Sequence, residues 1–170
     1  MHMSNSTYIL DETLLASNGQ RFLNYILDTI IIIALVFLLS ILLALAAILL
    51  GFKGVLIWMG NVGNLEERLI FVVIAIFYYA FAEGLFSRSL GKLITGTIVV
   101  DENGKKPSFG TIFKRSLCRA IPFDALSFLG SSGIGWHDSI SDTYVVNKKA
   151  LDEEVKNFYE FNLIGVQETE

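Results

Sequence analysis

The chain has 170 residues, 53% of them hydrophobic and only 18% charged, with a formal net charge of −4 and a mean hydropathy of +0.56. A soluble domain ordinarily carries about a quarter charged residues, so this balance excludes an ordinary soluble domain and points to a membrane. Cys118 is alone, which excludes a disulfide framework and a cysteine metal site.

Residues 1–17 read as a short cytoplasmic N-terminal segment. Ser17-Asn18-Gly19-Gln20 has the pattern of a capping box and predicts a helix start there. From Thr29 to Leu50 the chain carries no charge, and its 22 residues rise roughly 33 Å as a helix, enough for a hydrocarbon core of about 30 Å. The run is too long for a signal-peptide core and reads as a retained span over about 24–50. Arg21, Asn24 and Asp28, at i, i+3 and i+7, fall on one polar stripe at its start.

A second span is predicted over 69–87, between Arg68 and Arg88, if Glu83 and the GLFS after it are counted in. Tyr79, Glu83 and Ser87 form a matching stripe at i, i+4 and i+8. The connecting loop, Gly51 to Glu67, holds one basic residue, Lys53, whereas ten follow Phe86. The positive-inside rule then places the C-terminal part, and with two spans the N-terminus too, in the cytoplasm. Antiparallel spans bring Asp28 and Glu83 to a common depth near the cytoplasmic edge of the lipid core. There they either share one polar cluster or snorkel separately.

The Gly91-Lys92 pair hints at a phosphate loop, but Gly84 and Gly91 are wrongly spaced and Leu93 stands where a hydroxyl is required. The glycines instead predict a helix end and a turn, with Lys92 an anchor or a carboxylate partner. Thr95 to Asp101 reads as a strand. Ser108 caps a predicted amphipathic helix with Phe109, Ile112, Phe113 and Leu117 on one side, and Lys114, Arg115 and Arg119 on other faces among anionic headgroups. Pro122 ends it. Residues 123–135 are too short to cross and predict a re-entrant or interfacial segment. Thr143 to Val146 matches Thr97 to Val100 in composition, and the two runs are expected to pair as a small cytoplasmic ribbon. Residues 148–170 form a polar cytoplasmic tail, partly helical or disordered.

The Arg21-to-Asp28 start of the first span, SLGKLITGTIVVD, FKRSLCRAIPFD and WHDSISDTYVV together resemble the RDD family of small bacterial membrane proteins, over about Gln20 to Asn147. The resemblance implies a mainly α, integral inner-membrane protein with an RDD-like domain at 18–147. It maps the family's arginine and two aspartates onto Arg21, Asp28 and Asp138. A third full span that the family leads one to expect has no counterpart here, since 123–135 is too short. The resemblance also brings His137 and Asp138 toward the polar stripes. The expected ion or polar cluster is then Arg21, Asn24, Asp28, Tyr79, Glu83, Arg88, His137 and Asp138.

Cation/proton antiport has been suggested within the family, so one expectation is movement of a monovalent cation or a proton. Crowded carboxylates raise one another's proton affinity and a bound cation lowers it, which is the antagonism exchange requires. Two spans enclose no pathway, so transport requires a homo-oligomer or another subunit, and Ala44, Ala46 and Ala47 allow close packing. A second expectation is a membrane adaptor that docks a partner through the amphipathic helix, ribbon and tail, with Arg21 and Arg88 neutralising Asp28, Glu83 and Asp138 in a static network. An enzyme is not expected, because no nucleophile motif or metal spacing accompanies His137. No cofactor, metal site or nucleic-acid partner is expected either.

Overall fold

A computed structural model describes residues 8–129 and 134–167. Helix α1, Asn18–Leu50, opens with the capping box read from sequence: Gln20 N–H donates to Ser17 Oγ, and Ser17 N–H to Gln20 Oε1. Its 33 residues would rise about 50 Å, longer than a hydrocarbon core. Its two ends accordingly have different surroundings. Arg21, Asn24 and Asp28 are buried against protein, whereas Phe37, Ile48 and Leu49 are exposed, Leu49 at 84%. Gly51 ends it in the left-handed region, φ 72°.

The connection holds a short helix, α2 (Lys53–Gly60), which rests on α1. Helix α3, Asn64–Phe86, returns alongside α1. Both α1 and α3 are long and apolar enough to cross a membrane. Ser87, at φ 56°, breaks α3 and turns the chain. A six-residue helix, α4 (Leu90–Thr95), follows with Ser89 as its cap and packs on the start of α1.

Strand β1 (Thr97–Val100) pairs antiparallel with β2 (Tyr144–Asn147), Val99 facing Val145 and Ile98 facing Val146. The ribbon expected from sequence is present. Its residues do not alternate because both faces are covered. One face, with Val99 and Val145, meets Ala16 and Ile112. The other, with Val100 and Val146, meets Tyr8, Leu14 and Leu151. The N-terminal segment thus lies along the ribbon, tied by Ala16 N–H to Val145 O at 2.8 Å.

Helix α5, Phe109–Cys118, packs on α3. Here the expected orientation is corrected: Arg115 is fully buried with Ile112 and Ser116, and Phe109, Phe113 and Leu117 are exposed. Of the expected re-entrant segment, 130–133 lie outside the described residues. Before them Asp124–Leu129 is a 3-10 turn, and after them α6 (Trp136–Ile140) leads into β2. The tail forms α7, Lys148–Gln167.

Candidate functional site

The helical stripes meet the ribbon and α5 in one buried network of charges. Tyr79, Glu83 and Ser87 of the α3 stripe are all buried, as are Arg21, Asn24 and Asp28 of the α1 stripe. Glu83 has no exposure, and three cations surround it. Lys92 Nζ and Arg115 Nε each donate at 2.9 Å, and Arg119 Nη2 at 3.4 Å. Arg115 also donates through Nη1 to Asp138 and to Thr143 Oγ1, the latter at 2.5 Å, so one guanidinium joins α3 to α6 and the ribbon. Arg21 Nη1 reaches the other oxygen of Asp138 at 2.5 Å. Such planar, charge-assisted contacts fix geometry as well as charge.

Asp28 differs from these. Its carboxylate accepts from Tyr78 Oη at 2.8 Å, Ser89 Oγ at 2.5 Å and Gly91 N–H at 2.8 Å, and no cation is paired with it among the described residues. The Gly-Lys step is thereby explained. Gly91 lets the start of α4 close on α1, since a Cβ there would lie 2.8 Å from both Asn24 O and Asp28 Oδ1, and Lys92 turns to Glu83. Asn24 is held by the hydroxyls of Thr95 and Thr97.

His137 sits on Asp124, which accepts from its backbone N–H at 2.9 Å and meets Nδ1 at 2.7 Å. Burial, reinforced by Arg119 and Arg115 and opposed by Asp138, pushes the imidazole down to about 4, so it is neutral at pH 7. Burial also pushes the Lys92 ammonium below its ordinary value, although Glu83 pulls the other way. For Asp138 burial acts to raise the carboxyl, but Arg115 and Arg21 outweigh it and hold it well below the usual carboxylate range. Among the described residues, four carboxylates (Asp28, Glu83, Asp124, Asp138) thus share the cluster with four cations (Arg21, Lys92, Arg115, Arg119).

The structure brings together seven of the expected residues: Arg21, Asn24, Asp28, Tyr79, Glu83, His137 and Asp138. Arg88 does not join them. It is half-buried and forms no ion pair with the cluster among the described residues. Nor does Arg21 pair with Asp28. Lys92, Arg115 and Arg119 neutralise Glu83 and Asp138 instead, with Arg119 stacked 3.9 Å from the Tyr79 ring centre. Sequence reasoning missed Arg115, Arg119, Asp124 and Tyr78. One signal for Arg115 was present: it follows Ile112 by three residues, which places the two on the same helical face.

At the centre lies a cavity of about 30 Å³ with Arg21, Asp28, Lys92, Arg115 and Arg119 in its wall. It has room for one or two water-sized species. No group of three or more metal-ligating side chains occurs among the described residues.

The RDD family model matches residues 15–148, the stretch that contains both long helices, the ribbon and every member of the cluster. Neither the curated proteins nor the solved structures contain a match.

Proposed function

We propose that this chain, which belongs to the RDD family of membrane proteins, moves protons across the membrane as an oligomer, with Asp28 as the group that takes up and releases them. The observation that carries the reading is the difference between Asp28 and its neighbours. Glu83 and Asp138 are bound by guanidinium groups, which only donate and therefore require a carboxylate. Two of the three partners of Asp28 are hydroxyls, which rotate to donate or accept. A monovalent cation is served less well, because four cationic side chains line the cavity beside it.

Two spans enclose no pathway, so the reading includes association of copies. Ala47 is already buried within the chain, which leaves Ala44 and Ala46 for close packing. The basic residues orient both termini to the cytoplasm of a bacterial inner membrane. A cysteine placed at Asn61 should then label from outside in a Cys118→Ser background, and labelling only from within would reverse the orientation.

The functional test is proton flux in proteoliposomes under an imposed pH gradient. Wild type should dissipate the gradient, and Asp28→Asn should abolish the flux while assembling at wild-type levels. A wild type without flux, or a fully active Asp28→Asn, overturns the proposal. The first outcome favours an adaptor, for which the exposed Phe109, Phe113 and Leu117 on α5 are the supporting observation.

A further inference from the structure

Among the described residues, three buried N–H donors have no partner: Arg21 Nη2, Arg115 Nη2 and Arg119 Nε. Buried polar groups are normally satisfied, and an orphaned donor is costly, the more so when it is charged. All three belong to residues in the wall of the same cavity. Arg21 and Arg115 are more than nine-tenths buried, and their other nitrogens are committed to Asp138, Glu83, Thr143 and the Ala16 carbonyl. The spare donors therefore require an acceptor that the described residues do not supply.

The charge of the wall identifies that acceptor. Arg21, Lys92, Arg115 and Arg119 line the cavity against one carboxylate, Asp28, whose two oxygens already accept three hydrogen bonds. Glu83 and Asp138 lie behind the cations and are not part of the wall. A metal cation would find few free oxygen ligands. An acceptor that brings negative charge would meet the unpaired donors in a poorly solvated site, where such contacts are strong. A volume of about 30 Å³ restricts it to a water-sized species.

We propose that this cavity is a binding site for a single small anion of halide size, which completes the hydrogen bonding of Arg21, Arg115 and Arg119. The site stands whether or not the cluster carries protons, and its test reads binding instead of flux. Full-length protein in detergent, in sodium gluconate at fixed pH and ionic strength, is titrated with sodium chloride or bromide while unfolding is followed. A ligand that binds only the folded state raises stability in a saturable way.

Chloride and bromide should each raise the Tm by several degrees and saturate, and sulfate at equal ionic strength should not. Val145→Leu, which enlarges a wall residue without touching a charge, should remove the halide response while keeping the gluconate Tm within a few degrees. Chloride-35 NMR of the wild type supplies a readout that needs no variant: the chloride line should broaden with protein and sharpen when bromide competes. A shift that follows ionic strength with no preference among anions, or a chloride line that bromide does not change, overturns the proposal and leaves water in the cavity.

Discussion

Arg115 is the residue on which most of the cluster converges, since it contacts Glu83, Asp138 and Thr143 without any exposure. Its loss removes one cation from each of two buried carboxylates that keep Lys92, Arg119 and Arg21, so Arg115→Gln should destabilise the protein by about 3 kcal/mol, the lower end of the scale for breaking a buried pair. Arg119 keeps 15% side-chain exposure and a longer contact, and Arg119→Gln should cost less. Reversible unfolding in mixed detergent ranks the two. His137 gives a pH signature. Its proton affinity in the folded chain lies below the ordinary 6.5, at about 4, so across that interval the unfolded chain binds more protons. Stability should therefore fall as pH drops from about 6.5 to about 4, and His137→Gln should flatten that part of the profile measured by Tm. The imidazole faces Asp124, Asp138, Arg115 and Arg119, and only a comparison of variant with wild type isolates its share. At this scale Asp28, Asp138 and Arg21 were legible in the sequence. Asp124 was not, because its role depends on a partner thirteen residues away across a turn.

Among elements, α4 approaches α1 closely, and the approach rests on one missing side chain. A Cβ at Gly91 would press on the Asn24 carbonyl and on Asp28, neither of which can yield without breaking the cluster. A Cβ at Gly84 would meet only the Phe109 ring at 2.9 Å, and that ring is 61% exposed and free to turn. Gly91→Ala should thus cost about 1 to 3 kcal/mol, the range for overpacking, and Gly84→Ala distinctly less; equal losses in an unfolding assay would contradict this packing. The long helices, their polar stripes and the paired β-branched runs were readable because periodicity and length specify them. Helix α4 was not, since six residues are too few to display a period. The orientation of α5 was misread for a different reason. Placing charge outward suits a surrounding of water, but next to apolar spans the buried side is where Arg115 finds carboxylates, and Phe109 and Phe113 take the outer face.

For the molecule as a whole, two apolar helices end in a protein-covered network of four carboxylates and four cations, built from segments spread between Arg21 and Asp138. Sequence made the membrane class and most of the cluster's members legible. It did not reveal the pairing, because which cation meets which carboxylate depends on how α4, α5 and α6 close over the helix ends. That pairing leaves Asp28 as the carboxylate bound by hydroxyls and an amide while Glu83 and Asp138 are locked by cations. On the proposed reading, Asp28 exchanges its proton in the folded protein and those two do not. Infrared difference spectroscopy of the protein in lipid, recorded as pH is stepped, reads this directly through the carboxylic C=O stretch. Wild type should show a protonation band that Asp28→Asn deletes and Tyr78→Phe shifts. A band that survives Asp28→Asn and disappears in Glu83→Gln would contradict it.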